Sequence, residues 1–191
     1  MTFARHCLAA LRLLVVMTVL LGVGYPLAVM VIGHAIWPRQ ADGSLVTDGS
    51  GAVVGSSLVG QSFGDEVGWF WSRPSACDYS GTTSGGTNLP PDSAAQQAAR
   101  AERETQLEAA NPDAVGPVPE DALTASASCL DPDISPAYAH WQVPRVASAR
   151  GLPEDELDAM IEAATDPAPL GGLLGRPGVN VLALNLALSQ H

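Results

Sequence analysis

The chain has 191 residues, which is enough for one membrane segment and one domain of ordinary size. It contains nine arginines, no lysine and twenty acidic residues, so its formal net charge at pH 7 is −11. An acidic chain of this kind repels phosphate backbones, and the composition therefore disfavours a nucleic-acid partner.

The first feature along the chain is an apolar stretch near the N-terminus. Residues 13–33 contain no Asp, Glu, Lys or Arg, and about 20 apolar residues suffice to cross a hydrocarbon core of about 30 Å. A cleavable signal peptide would be shorter and would end in small residues, whereas the bulky Trp37 follows here. A buried core helix is disfavoured because the remaining domain is too small to surround it. We therefore predict an uncleaved transmembrane helix over 13–36.

The arginines predict the orientation of this helix. Arg5 and Arg12 precede it, while only Arg39 follows closely. The positive-inside rule then places residues 1–12 in the cytoplasm and the domain 38–191 on the outer side of the plasma or inner membrane. The exported part holds seven arginines and all twenty acidic residues, a formal charge of −13.

The middle of the predicted helix carries the sequence GVGYP. Pro26 has no amide hydrogen and its ring crowds the carbonyl of Gly22, which predicts a mild kink. Small residues at Gly22 and Gly24, next to Tyr25, would let a second helix approach closely. We predict a contact with a partner helix at these four residues, with a lone kinked anchor as the alternative.

The residues after Pro38 predict a mixed α+β domain. Short apolar pairs over 45–59, separated by Gly- and Ser-rich segments, predict a β-hairpin followed by a third extended segment. Residues 80–92 are rich in Gly, Ser, Thr and Pro and predict a loop. Within this loop, the SGGTN segment at 84–88 could cradle an anion with its backbone amides or form a plain tight turn.

Three helices are predicted in the second half of the chain. The stretch 93–110 is rich in Ala and Glu and begins at a capping Asp or Ser. Ser135 and Pro136 begin a second helix, which Pro144 is expected to break or kink. The third covers 153–164, with acidic residues in its first turn and apolar residues on one face. The final apolar stretch fits either a strand or a helix.

No set of residues predicts an active site. Ser126 and Ser128 have no histidine nearby in the sequence and lack the nucleophile-elbow pattern. His140 lies on a predicted helix, where a surface or packing role is more common than a role as a base. We therefore predict no catalytic residue.

Two groups of charged residues have structural explanations. Asp131 and Asp133 could suggest paired carboxylates for hydrolysis or Ca²⁺ binding, but they precede a helix start, where capping and Asx turns explain them. Arg73 stands near Trp71 and is expected to stack on an aromatic ring or to pair with a carboxylate.

The cysteines leave two alternatives. Cys77 and Cys129 would both lie in an oxidising compartment, where a disulfide between them is allowed, and two free buried thiols are the other reading. Cys7 precedes the predicted span. There is no Cys-x-x-Cys motif or Cys/His cluster in the sequence, so no metal site is predicted.

Nine short segments, spread over nearly the whole chain, share their sequence and order with one protein family. They are GVGYPL at 22–27, DGSL at 42–45, GSSLVGQSF at 55–63, an aromatic-x-x-RPSA pattern at 70–76, SGGTNL at 84–89, NPDA with VPEDALTASAS at 111–128, LDPDISP at 130–136, WQVPRVASAR at 141–150, and RPGVNVLALNLAL at 176–188. On these segments the chain resembles the C subunit of the bacterial Kdp potassium-transporting P-type ATPase. It departs from the family at Cys129, where a glycine is usual.

The resemblance implies a non-catalytic accessory subunit of an ATP-driven, high-affinity potassium uptake complex, needed for assembly and stabilisation. The implied partners are a potassium-translocating subunit, a P-type ATP-hydrolysing subunit and a small hydrophobic subunit, in contact with membrane lipid. It also implies structural or interface roles for residues of the shared segments, namely Gln61, Phe63, Arg73, Pro74, Ser75, Ser84, Gly85, Gly86, Asn88, Thr124, Ser126, Asp131, Pro136, Gln142, Arg145, Asn180 and Asn185.

The family is further proposed to act as a catalytic chaperone that binds ATP and raises the ATP affinity of the hydrolysing subunit. The predicted orientation opposes this role, because the domain faces away from cytoplasmic ATP and carries a charge that repels a polyanion. We therefore expect no firmly bound cofactor. The alternative function is a stand-alone, membrane-anchored ligand-binding or enzyme domain outside the cytoplasm.

Overall fold

The computed structural model describes residues 2–64, 66–168 and 174–191. The chain divides into two compact units, Met1–Leu45 and Val46–His191. Each unit has its own internal organisation and is described by itself.

The first unit is dominated by one long helix. Helix α1 (Thr2–Val19) continues through a π-helical turn (Leu20–Gly24) into α2 (Tyr25–Ile36), and the short α3 (Pro38–Ala41) follows. No described residue of these helices is buried. The helix from Thr2 to Ile36 is long and apolar enough to cross a membrane, judged by its length and composition. The predicted apolar helix is therefore present, and it begins before the apolar stretch does.

A β-hairpin begins the second part of the chain. Strands β1 (Leu45–Thr47) and β2 (Val53–Ser56) form a two-stranded sheet. The carboxylate of Asp48 accepts two backbone amides of the connecting turn. The predicted hairpin is confirmed. The predicted third extended segment is wrong, because residues 57–59 form a turn in which the amide of Val59 donates to the carbonyl of Ser56.

The remaining helices begin mostly at polar caps. Their bounds are α4 (Ala94–Ala110), α5 (Glu120–Leu123), α6 (Pro136–Arg150), α7 (Glu154–Ala163) and α8 (Val181–Leu188). Helices α4, α6 and α8 each start at a side-chain oxygen that accepts the amide three positions on, supplied by Ser93, Ser135 and Asn180 respectively. Such N-caps satisfy amides that have no partner within the helix. The three predicted helices in this half of the chain are confirmed.

A small antiparallel sheet lies among these helices. It contains β3 (Asp133–Ile134), β4 (Thr165–Asp166) and β5 (Gly178–Asn180), in the spatial order β3-β5-β4. Val179 at the centre of β5 pairs with Ile134 on one side and with Thr165 on the other. The final apolar stretch, which the sequence left open between strand and helix, is both: β5 leads directly into α8.

The hydrophobic core of the second unit surrounds α6. Most of its circumference is buried, through Tyr138, Ala139, Trp141, Gln142, Val143, Arg145, Val146 and Ala147. Ala137, His140 and Ser148 are exposed, and because their spacing places them on one side of the helix, they form a narrow exposed stripe. Leu157 and Ile161 of α7, Leu184 and Leu188 of α8, and Phe70 complete the same buried cluster, and each such side chain stabilises the fold by about 1.5–3 kcal/mol.

Pro144 does not end α6, although a break or kink was predicted there. Its ring removes the hydrogen bond to the carbonyl of His140, but the following residues Arg145 and Ala147 are buried and hold the last turn in the core. The helix ends instead at Gly151, whose φ is 68° and whose amide donates to the Ala147 carbonyl at 2.8 Å. The predicted break is wrong, and the alternative of a kink at Pro144 stays a prediction.

Candidate functional site

Residues 66–71 of the second unit, which we call the aromatic segment, are held in place by many side-chain hydrogen bonds. This segment contains Trp69, Phe70 and Trp71, and Phe70 is completely buried. The segment is neither helix nor strand. Its backbone polar groups must therefore find partners outside regular secondary structure.

Two side chains of α6 supply several of these partners. Arg145 donates to the carbonyls of Val67 and Trp69, the latter at 2.9 Å. Gln142 accepts the amide of Trp71 at 2.7 Å and donates to the carbonyl of the same residue at 3.3 Å. The helix thus provides the hydrogen bonds that a neighbouring strand provides in a sheet.

Asn185 and Arg150 complete the set. Asn185 of α8 accepts the amide of Phe70 and donates to its carbonyl, both at 2.9 Å. The Nε of Arg150 donates to the carbonyl of Gly68 at 2.9 Å. Every backbone carbonyl of residues 67–71 therefore accepts a hydrogen bond from a side chain of α6 or α8.

The two arginines also cover the indole rings of the segment. The Cζ of Arg145 lies 4.0 Å from the ring centroid of Trp71, and that of Arg150 lies 4.1 Å from the ring centroid of Trp69. Cations in this position are attracted by the ring quadrupole. The indole nitrogens donate to Glu66, at 2.9 Å from Trp69 and 3.0 Å from Trp71. The aromatic side chains are thereby fixed together with the backbone.

Arg145 is a buried cation surrounded by neutral oxygens. Its side chain also donates to Asn111 Oδ1 and to Gln142 Oε1, both at 2.7 Å. Burial lowers the pKa of Arg145 to about 10, which still leaves the guanidinium protonated at neutral pH. A buried charge is tolerated only where hydrogen bonds replace the lost water, and this network provides them.

A second cluster contains the charged residues that the sequence singled out. Arg73 Nη1 lies 2.8 Å from Asp131 Oδ2, and its Nη2 lies 3.5 Å from the carbonyl of Thr124. Asp131 also accepts the backbone amide of Asp133 at 3.2 Å, which is the geometry of an Asx turn. Arg73 thus pairs with a carboxylate, and it is Arg145 that covers the ring of Trp71.

Ser75 and a disulfide tie the chain around residue 77 to the chain around residue 129. Ser75 Oγ donates to the carbonyl of Cys129 at 2.8 Å and accepts the amides of Cys77 and Tyr79. A disulfide joins Cys77 to Cys129, whose Cα atoms are 5.8 Å apart. Cys129 has a φ of 56°, a conformation that glycine adopts at no steric cost. The backbone conformation therefore suits the glycine that the family resemblance implies at this position.

The SGGTN segment lies extended beside Ser128. The hydroxyl of Ser84 and the amide of Gly85 both donate to the Ser128 carbonyl, at 3.1 and 3.3 Å. A Cβ on Gly86 would lie 3.2 Å from the Cα of Ala127, so this contact favours glycine. The segment is not a tight turn. The Gly85 amide donates to the protein, and anion binding by the other amides of the segment stays a prediction.

Other residues of the shared segments connect neighbouring loops. Gln61 Nε2 donates to the carbonyl of Val54 at 3.0 Å. Asn180 Nδ2 donates to the carbonyl of Ser57 at 3.0 Å and to Asp133 Oδ1 at 3.1 Å. Asn180 therefore caps α8 and links three parts of the chain at once.

Four further residues from these segments have packing or backbone roles. The ring of Phe63 packs against that of Trp69, with centroids 6.4 Å apart. The amide of Ser126 donates to the carbonyl of Pro74 at 3.0 Å, and Pro136 occupies the first turn of α6. These positions support the fold around the aromatic segment.

The four residues predicted to contact a partner helix lie at the π-helical turn. The amide of Tyr25 donates to the carbonyl of Leu20, five residues back, because Pro26 cannot donate to Gly22 and the widened turn accommodates its ring. A Cβ on Gly22 or Gly24 would meet only ordinary contacts, at 3.8 and 3.6 Å. Packing within the chain does not require these glycines.

Two open cavities adjoin the clusters. The larger, about 1260 Å³, contains carboxylates that already have partners: Asp131 pairs with Arg73, and Asp158 lies 2.7 Å from His140. The smaller, about 710 Å³, lies beside the aromatic segment. Among residues 2–64, 66–168 and 174–191, no three His, Cys, Asp or Glu side chains are arranged to hold a metal ion.

The shared segments were tested by comparison with known families. A family model described as "KdpC: K+-transporting ATPase, c chain" matches residues 7–190. The chain belongs to the KdpC family.

Individual KdpC proteins are similar over almost their whole length. The chain is 52% identical over 182 residues to the potassium-transporting ATPase KdpC subunit of Variovorax paradoxus (strain S110), covering 94% of this chain and 93% of that protein. It is 50% identical to the KdpC subunit of Sorangium cellulosum (strain So ce56), with 96% of each chain covered. The KdpC subunit of Myxococcus xanthus is 46% identical, with 96% and 87% covered.

These comparisons confirm the predicted family and the predicted class of function. KdpC is a subunit of a potassium-transporting ATPase and not a stand-alone enzyme. Residues of the aromatic-segment network also occur in the segments that carried the resemblance. Sequence reasoning missed Arg150 and Asn111 as members of that network, although both lie in shared segments, WQVPRVASAR and NPDA.

Proposed function

We propose that this chain holds the potassium-transporting ATPase together through its N-terminal helix and presents its α+β domain outside the cytoplasm. The observation that carries the proposal is the helix Thr2–Ile36, which is apolar and has no buried residue among those described. An apolar surface of this length needs lipid or another helix as its surroundings. The domain, in contrast, has a complete core of its own.

The proposed partners are a potassium-translocating subunit, an ATP-hydrolysing P-type subunit and a small hydrophobic subunit, with membrane lipid around the helix. The relatives named as KdpC subunits of a potassium-transporting ATPase support a complex of this kind. Within the second unit, the polar networks fix loops and do not form a catalytic arrangement, which suits a structural contribution to the complex.

The contact with a partner helix is assigned to the π-helical turn. Packing within the chain does not require glycine at positions 22 and 24. Because glycine has no side chain, these two positions leave the helix backbone open to a neighbouring helix. Small residues allow close backbone approach, which is how helices associate in lipid, where hydrophobic burial contributes little. Tyr25 and Pro26 continue the same turn.

Two independent features support the outward orientation. Arg5 and Arg12 precede the apolar stretch, as the positive-inside rule requires. The disulfide between Cys77 and Cys129 belongs to an oxidising compartment, whereas Cys7, before the apolar stretch, is free. With this orientation, the domain of charge −13 faces away from cytoplasmic ATP, so we assign it no nucleotide-binding role.

Co-purification from native membranes tests the proposal. The natural chain is compared with a variant that carries larger side chains at the π-helical turn. The tagged chain should recover the multi-span ATPase subunits, and the double variant Gly22→Leu/Gly24→Leu should recover at least tenfold less while remaining in the membrane fraction. Ala10→Leu adds similar bulk outside the apolar stretch and should leave recovery unchanged. Equal recovery by the double variant would remove the turn from the interface, and a chain that purifies alone would contradict the accessory role.

A further inference from the structure

We propose that the smaller cavity binds a small zwitterion with an apolar body, that is, a molecule carrying an ammonium at one end and a carboxylate at the other. The site lies in the second unit and does not depend on the proposed role in assembly.

The cavity has the size and lining of a small-molecule site. Its volume of about 710 Å³ lies within the range of about 300–1,000 Å³ that is usual for such sites. Four aromatic side chains line it, those of Phe63, Trp71, Tyr79 and Tyr138. Polar side chains, among them Ser72, Ser75 and Gln106, line it as well, so its walls offer both apolar surface and hydrogen-bonding groups.

The walls of the cavity are each held in place before any ligand arrives. Trp71 belongs to the aromatic segment, whose carbonyls are fixed by side chains of α6 and α8. Tyr79 is held by Ser75 and by the neighbouring disulfide of Cys77. Leu107 and the face of α4 around it form a third wall. A preformed site loses little conformational entropy on binding.

Two charges of opposite sign face this cavity among its described lining residues, Asp78 and Arg103. Arg103 donates one hydrogen bond, to the carbonyl of Leu123 at 3.0 Å, and its remaining donors suit a carboxylate. Asp78 is exposed, and its carboxylate accepts no hydrogen bond from the described part of the chain. The phenols of Tyr79 and Tyr138 are neutral at pH 7, because burial raises the pKa of Tyr79 to about 12 and that of Tyr138 further. They therefore add no charge to that of Asp78 and Arg103.

The chemistry of the ligand follows from these groups. An ammonium is stabilised by Asp78 and by aromatic ring faces, a carboxylate by the guanidinium of Arg103, and an apolar body by the aromatic rings that line the same cavity. A simple anion would meet the repulsion of a domain with charge −13. An α-amino acid with an apolar side chain has all three parts and no net charge.

Isothermal titration calorimetry of the full chain in detergent, with L-phenylalanine as the probe, tests the proposal. Two analogues each remove one charge: L-phenylalaninamide lacks the carboxylate and 3-phenylpropionate lacks the ammonium. We expect saturable 1:1 binding of L-phenylalanine at millimolar or lower concentration, and binding at least tenfold weaker for both analogues. No saturable binding, or equal binding of all three, would overturn the proposal.

Two variants assign the charges. Arg103→Gln should reduce L-phenylalanine binding to the level of the amide and leave amide binding unchanged. Asp78→Asn should reduce it to the level of 3-phenylpropionate; asparagine tolerates the φ of 50° at this position, so the loop is kept. Arg100→Gln, on the same helix but paired with Glu120, is the matched control and should bind normally. If the control loses as much affinity as Arg103→Gln, or if neither lining variant changes the ligand preference, the assignment is wrong.

Discussion

Arg145 shows how single side chains can fix a segment that has no regular secondary structure. Its guanidinium and the amides of Gln142 and Asn185 hold the aromatic segment across sequence separations of 71 to 115 residues. The family resemblance implied structural or interface roles for these three residues. It could not predict what they contact, because no local pattern relates a helix to a loop that far away.

Removing the Arg145 side chain tests this network. Arg145→Ala leaves the carbonyls of Val67 and Trp69 without their donor in a buried setting, so the free energy of unfolding should fall by about 3 kcal/mol. Denaturant unfolding of the full chain in detergent measures the loss. The exposed ion pair of Arg100 with Glu120 provides the control, and Arg100→Ala should cost less than about 1 kcal/mol. Similar losses in both variants would mean that the network contributes little.

Asp133 should make the protein less stable as pH rises, whereas a carboxylate that is paired with a cation makes a protein more stable as pH rises. Burial raises the pKa of Asp133, with Asp131 and Asp166 adding to the shift. The folded state thus holds its proton to higher pH than the unfolded chain, and stability falls as pH rises through the raised pKa. The amide in Asp133→Asn cannot ionise, yet its oxygen can still accept the hydrogen bond from Asn180.

The variant Asp133→Asn should therefore have a higher Tm than the natural chain at pH 7. The difference should close below about pH 4, where an ordinary aspartate is protonated in both states. Circular dichroism melts of the full chain across this pH range measure the effect. A Tm difference that is independent of pH, or a lower Tm at pH 7, would contradict the account.

At the level of elements, the sequence predicted correctly what has a local cause. Ser93 and Ser135 cap the helices that they were expected to begin. The third extended segment and the break in α6 were wrong because distant packing decides them. Gly60 donates to the carbonyl of Leu130 at 2.8 Å, which draws its segment into a turn. The residues that follow Pro144, namely Arg145, Val146 and Ala147, are buried, and their packing in the core keeps the helix continuous.

The disulfide ties two loops of the second unit that have little regular structure. Cys77 and Cys129 are 52 residues apart, and closing a loop of that length stabilises a fold by about 4 kcal/mol through the entropy of the unfolded chain. Reduction should therefore lower the free energy of unfolding by about that amount. The same unfolding measurement with and without dithiothreitol tests it.

The double variant Cys77→Ser/Cys129→Ser provides the control for the reduction experiment. Its unfolding should match that of the reduced natural chain and should not respond to dithiothreitol. If reduction leaves the natural chain as stable as before, hydrogen bonds such as those from Ser75 to Cys129 and from Ser126 to Pro74 hold these loops together without the disulfide.

The whole molecule is asymmetric in charge and in cysteine chemistry. Arg5 and Arg12 lie before the apolar stretch, and every acidic residue lies after it. A free cysteine, Cys7, is on one side of this stretch, and the Cys77–Cys129 disulfide is on the other. Both asymmetries agree with a helix that crosses the membrane once and a domain that faces outward. The same orientation argues against a direct role in cytoplasmic ATP binding.

Labelling with a membrane-impermeant maleimide tests this orientation most directly. In a Cys7→Ser background, Ser189→Cys introduces one exposed thiol near the C-terminus, since Ser189 is exposed and the other two cysteines are joined. Right-side-out membranes should label this variant at once, while the natural chain, with only Cys7 free, should label only after the membrane is opened. The reverse pattern would contradict the outward orientation and return the domain to the side of the membrane where ATP is found.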